Sequence, residues 1–167
     1  LEEQLASEVE TMHFAVGARS AGAAGTPVAY VARGLMDRWQ AACEAAGIHP
    51  DAAYADTMAV PVSPGACTML LDEGMLFVRR AAAVPYAIDA NPLGAALELA
   101  LGDAAEAAEN VVFFASAAEY EAQRDTIEGL RSRTATLQVK LLPDGALPLL
   151  AAQVASEAGV NLLQGPY

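Results

Sequence analysis

The chain has 167 residues and a net charge of −12, with 21 acidic side chains against 9 Lys and Arg. Phosphate binding needs clustered Lys and Arg, so nucleic acid is excluded as a partner, and an anionic membrane surface would repel the chain. The length suits one compact domain or two small lobes. Hydrophobic residues make up 54% and aromatics 6%, much of the apolar content being alanine, so helices should pack closely with modest buried area per residue. The acidic excess fits either a partner with a basic face or a solvated surface that keeps the protein soluble.

The chain opens at Leu1 rather than Met and reads as a fragment starting inside a helix. Leu1, Leu5, Val9 and Met12 recur at spacings of four and three, which predicts a helix over 1–14. Residues 17–27 are rich in Gly, Ala and Ser and read as a loop. Residues 28–32 predict a short buried strand. The next helix carries Leu35, Met36, Trp39, Ala42, Cys43 and Ala46 on one face and is stopped by Gly47. Residues 53–60 predict another strand. Two prolines, a serine and a glycine over 61–65 mark a lobe boundary, dividing the chain into a partial first lobe, 1–62, and a second lobe, 63–167.

The second lobe opens with strands at 67–72 and 75–79 joined by the turn signal Asp72-Glu73-Gly74, with a third strand expected over 83–88. Asn91 before Pro92 predicts a helix start, with Leu93, Leu97 and Leu101 as its stripe and Gly102 as its stop. Residues 111–114 predict a buried strand. Ser116 and Glu119 predict a capping box opening a helix to about Arg131. Residues 134–142 alternate as a half-buried strand, 143–145 form a turn, and a last helix ends at Gly159. Three meandering strands followed by helix, strand, helix, strand, helix is the order of an RNase H-like unit, the building block of actin-like ATPases. The fold class expected is α/β, with a mixed sheet flanked by helices.

In that superfamily a strand ending in Asp-x-Gly turns through a hairpin whose amides and small hydroxyl residues cradle phosphate. Asp72-Glu73-Gly74 keeps the frame, but Met75-Leu76-Phe77-Val78 supplies no Gly, Ser or Thr. Glu73 adds a charge beside any phosphate, and two like charges at ~4 Å repel by about 4 kcal/mol at an effective dielectric of 20. The hairpin therefore reads as a degenerate phosphate cradle, with no cofactor expected. His13 and His49 share no ligand spacing with Cys43 and Cys67, so no metal site is expected. The two cysteines form no C-x-x-C pair and read as small buried thiols of a reducing compartment. No nucleophile–base constellation or G-x-S-x-G occurs, which predicts a non-enzyme. Asp56, Asp72, Glu73 and Asp89 are candidate carboxylate pairs, read mainly as strand ends and surface. Trp39 reads first as a core tryptophan and second, with Arg33, Asp37 and Arg38, as a contact site. Arg79-Arg80 is an adjacent basic pair whose members must face opposite sides of a strand. No segment has the ~18–20 apolar residues of a membrane span, and no signal peptide is visible.

Four stretches together resemble the cytoplasmic domain of the type II secretion system protein L family. They are Leu1-Glu2-Glu3-Gln4-Leu5 with Glu8, Val9, Glu10 and a His13-Phe14-Ala15 strand; residues 28–48 with Pro50; Thr68-Met69-Leu70-Leu71-Asp72 with its hairpin and Tyr86-Ala87-Ile88-Asp89; and the tail Val160-Asn161-Leu162-Leu163-Gln164-Gly165-Pro166-Tyr167. The related pilus assembly protein M family shares the middle stretches with a better phosphate hairpin, and supplies the alternative of a nucleotide-binding actin-like ATPase. The resemblance implies a non-catalytic scaffold at the cytoplasmic face of the bacterial inner membrane. It would recruit the secretion ATPase, protein E, through that protein's N-terminal domain and couple it to protein M. It further implies that the N-terminal part of the first lobe and a transmembrane helix lie outside this chain. Exposed edges, and with them a homodimer, are then expected. The expected ATPase-binding residues are Glu8, Glu10, Arg33, Asp37, Arg38 and Trp39.

Overall fold

A computed structural model describes residues 8–19, 25–81, 83–102, 109–156 and 159–167. The chain forms two compact units: Leu1–Ala55 with Ala158–Tyr167, and Asp56–Glu157. The boundary expected within 61–65 thus falls a few residues earlier. The tail, grouped by sequence with the second lobe, packs in the first unit.

In the first unit a 3-10 turn, Val9–Thr11, leads into strand β1, Met12–Val16, which pairs antiparallel with β2, Val28–Ala32. The helix expected to Phe14 is not formed there: the backbone is extended from Met12 onward. Residues 1–7 of that expectation lie outside the described residues. β2 forms as expected but is not buried, since Val28 and Tyr30 are exposed. Helix α1, Arg33–Ala45, follows at once. Its end is a Schellman motif: Gly47 takes φ +68°, its amide donates to Glu44, and the Ile48 amide donates back to Cys43. Only Met36 of the expected stripe is buried. With Ala15 and Leu162 it forms a small core.

The tail is fastened to this unit by side chains. The Asn161 carboxamide oxygen accepts from the Ala53 amide at 2.9 Å, and the Leu162 amide donates to the Ala53 carbonyl at 2.7 Å. Gln164 bonds Val16 twice, accepting from its amide and donating to its carbonyl, both at 3.1 Å. The buried His13 imidazole donates through Nε2 to the Leu162 carbonyl at 2.7 Å and meets the Tyr167 ring edge-on. Gly17 permits this closure, because a Cβ there would lie 2.8 Å from both Pro27 and Val160 side-chain carbons.

The second unit is built on β3, Ala66–Asp72; β4, Met75–Arg79; β5, Tyr86–Asp89; β6, Asn110–Ser116; and β7, Thr136–Leu142, in the order β5-β4-β3-β6-β7. The first three meander antiparallel, while β6 and β7 run parallel to β3. This is the expected RNase H-like arrangement. Side chains alternate between two cores. Cys67, Met69, Leu71, Leu76, Val78, Val111 and Phe113 face helix α3, Leu93–Leu101, and α5, Arg124–Gly129. Leu70, Phe77 and Phe114 face the opposite way, toward Leu149 and Leu150 of α6, Leu147–Ser156.

Three local expectations are corrected here. Residues 53–60 hold no strand; a short helix α2, Asp56–Ala59, forms instead, because Asp56 caps the Thr57 amide and the buried Arg79 guanidinium donates to the carbonyls of Met58 and Val60. Asn91 makes no side-chain cap; its own amide donates to Asp89 at 2.9 Å. The helix expected from Ser116 to Arg131 breaks at Gln123, whose φ of −120° leaves the helical region between α4, Ala117–Ala122, and α5. Arg79 and Arg80 do separate: Arg80 pairs with Glu109 and donates to the Ala100 carbonyl at 2.8 Å.

Candidate phosphate hairpin and docking face

The β3–β4 turn is a two-residue hairpin loop, with Asp72 paired to Met75. Glu73 at φ +47° and Gly74 at φ +78° both take the left-handed region that a type I′ turn requires. The Glu73 amide donates to Glu119 Oε1 at 3.0 Å. The second carboxylate oxygen of Glu119 accepts from the Ser116 amide at 3.2 Å and hydroxyl at 2.7 Å, while the Glu119 amide donates to the Ser116 hydroxyl. The expected capping box is therefore present and also ties the hairpin to α4.

Burial first, then the charges of Glu119 and Glu73, raise the Asp72 carboxyl above its ordinary pKa. Leu76, Phe77 and Val78 are buried in the two cores, so the strand after the turn brings no hydroxyl or small residue to it. The turn amide is taken by a carboxylate, and the neighbouring side chains are anionic or apolar. Asp72 and Asp89 flank Met75 on adjacent strands, so two strand spacings put them ~10 Å apart, too far to share a proton.

Among the described residues no group of three His, Cys, Asp or Glu could hold a metal ion. His13 is bound to the tail. Burial pushes the Cys67 thiol up to about 12, with Arg80 lowering and Glu109 raising it in smaller measure. Neither cysteine is in a disulfide.

Of the six expected docking residues, Arg33, Asp37, Arg38 and Trp39 lie on α1, and Glu8 and Glu10 lie at the turn before β1. Arg33 Nε donates to the Met12 carbonyl at 3.0 Å, which fixes α1 to β1. Asp37 accepts from the Tyr167 hydroxyl at 2.8 Å, and this bond raises the Tyr167 pKa. Trp39 is 45% exposed and so is not the core tryptophan expected first. It lines an apolar groove of 230 Å³. One wall is α1, another is the loop through Ile48 and Pro50, and a third is the tail through Leu163 and Tyr167. Sequence reasoning found Trp39 but not this groove. Its third wall comes from a segment more than 100 residues further along the chain, and the tail motif was read only as a family mark.

A family model for the type II secretion system (T2SS) protein L matches residues 1–167. This chain belongs to that family. A type II secretion system protein L of Pectobacterium carotovorum subsp. carotovorum is 31% identical over 168 residues, covering 100% of this chain and 36% of that protein. The protein L of Klebsiella pneumoniae is 45% identical over 64 residues, 38% of this chain and 16% of the protein. The chain thus spans about a third of a relative that it matches along its whole length. In fold it is similar to the cytoplasmic domain of EpsL, an inner-membrane component of the type II secretion system of Vibrio cholerae. The TM-score is 0.63 at 21% identity, covering 98% of this chain and 63% of that one. Membership of the protein L family connects the chain to type II secretion. No helix among the described residues is long and apolar enough to cross a membrane.

Proposed function

We propose that this chain is a non-catalytic docking domain of the type II secretion inner-membrane platform. It recruits the secretion ATPase, protein E, by that protein's N-terminal domain, and couples it to protein M. The parent protein L would sit with this domain at the cytoplasmic face of the membrane. The observation that carries this reading is the bond from the Glu73 amide to Glu119: an actin-like hairpin whose phosphate donor is occupied by the chain's own carboxylate. Membership of the protein L family and the half-exposed Trp39 support the docking role.

Two measurements test it. A nucleotide at ~100 times its dissociation constant stabilises a binder by about 2.7 kcal/mol. Magnesium and ATP should therefore leave the melting temperature flat; a clear rise would favour a nucleotide-binding actin-like ATPase. Glu8→Lys with Glu10→Lys should weaken pulldown of the ATPase N-terminal domain, and unchanged binding would remove these residues from the interface. They are the cleaner pair, since Asp37 also holds Tyr167. The sequence places seven acids and three bases in the first unit against fourteen and six in the second, so charge alone does not single out the first. The α1 face rests on Trp39.

A further inference from the structure

The tail closes a strand edge of the first unit with a side chain. In the β1–β2 ribbon the Gly17 amide donates to the Pro27 carbonyl at 2.8 Å, so Gly17 faces β2. Peptide groups alternate along a strand, which turns those of His13 and Ala15 toward β2 and those of Met12, Phe14 and Val16 outward. An outward edge of this kind is a template for another strand. Here its two ends are taken by side chains. Arg33 Nε donates to the Met12 carbonyl at 3.0 Å. The Gln164 carboxamide accepts from the Val16 amide and donates to the Val16 carbonyl, both at 3.1 Å, the pair of bonds that a neighbouring peptide group would make. The tail itself is no strand: the Gln164 amide donates back to the Leu162 carbonyl at 3.0 Å, and Gly165 turns at φ +67°.

We propose that residues 160–167 act as an autoinhibitory strap. Gln164 stands in for a strand on the outer edge of β1, and its withdrawal makes that edge an acceptor for the same edge of a second copy. The sequence of β1 selects a second copy: antiparallel pairing about Phe14 sets Phe14 against Phe14 and Met12 against Val16, with no Lys, Arg, Asp or Glu in the strand. The strap is latched beyond the cap. The Tyr167 hydroxyl donates to Asp37 at 2.8 Å, and the Tyr167 ring meets His13 edge-on. That latch holds α1 three residues after Gln164, so the edge is governed from a distance. The device is independent of the docking reading above.

Amide hydrogen exchange read residue by residue tests the strap. In Gln164→Ala the Val16 amide should exchange about tenfold faster, while the Ala15 amide, which faces β2, keeps its rate. Tyr167→Phe keeps a ring against His13 and drops the bond to Asp37. It should quicken Val16 exchange about two- to tenfold, although Tyr167 does not bond Val16; a cap with no strap behind it would leave that rate alone. Gln164→Ala should also associate in sedimentation velocity with a dissociation constant below about 1 mM, while the unaltered chain stays monomeric over the same range. Val16→Pro added to Gln164→Ala removes an outward donor without removing a bond to β2, and should restore the monomer. Emission of Trp39, the only tryptophan, reports whether the first unit stays folded in each variant.

An unchanged Val16 rate in Gln164→Ala overturns the proposal, as does a Val16 rate indifferent to Tyr167→Phe. A Gln164→Ala variant that stays monomeric at about 1 mM overturns it too. So does association that survives Val16→Pro, which would put the contact on another surface. An unaltered chain that already associates as strongly as Gln164→Ala would mean that the strap closes nothing, and equally overturns it. Should Gln164→Ala unfold the first unit, Tyr167→Phe, which removes a single hydroxyl, carries both the exchange and the association readouts.

Discussion

Glu119 joins three donors with one carboxylate, and two of them belong to its own helix start. Losing a cap costs about 0.5–2 kcal/mol, and an abandoned hairpin amide adds to that. Glu119→Ala should therefore lower stability by about 1–2 kcal/mol in urea unfolding, and Glu119→Gln, which keeps an acceptor, by less. Asp72 works against the fold. An unfolded carboxyl ionises around 3.8, whereas burial and two neighbouring carboxylates make the folded one hold its proton to higher pH. Stability is then lost as pH rises through that window. Asp72→Asn should raise the melting temperature at pH 7, with the gain vanishing below pH 3.8. A thiol reagent should label the half-buried Cys43 in the native state and reach Cys67 only on unfolding, as burial protects that sulfur and keeps it protonated. The capping box was legible because Ser116 and Glu119 are three residues apart. The bond from Glu119 to Glu73 spans 46 residues and leaves no local signal.

The same contrast holds for elements. The strands of the second unit alternate with period two and pack between two cores, so their positions and order could be read directly. The run at 53–60 has strand-like composition, yet Arg79, about twenty residues on, takes the carbonyls of Met58 and Val60 and leaves a helical turn. At 12–14 the apolar spacing fits helix and strand alike, and pairing with Val28–Ala32 decides it. Gly17 directly follows the first strand of that ribbon. Gly17→Ala would drive a methyl into Pro27 and Val160 and should cost about 1–3 kcal/mol by overpacking, measurable as a lower melting temperature.

On the scale of the whole molecule, the second unit is one continuous stretch, while the first is made of both ends of the chain. Residues Asp56–Glu157 expressed alone should retain a cooperative urea transition, because their sheet and both its cores are complete within that range. Removing 160–167 from the full chain should instead weaken the first unit and leave that transition in place. This division could not be read from a linear pass, since no composition change announces that Asn161 and Gln164 return to Ala53 and Val16.

The discontinuity also sets a timetable. Ribosomes deliver about 5–20 residues each second, and domains usually fold as they emerge. Here β1 and α1 must wait: they are made before the second unit, but Gln164 and Tyr167, which fasten them, are made after it. The inserted sheet can finish first, leaving the ribbon and its tryptophan helix unfastened until residues 160–167 emerge.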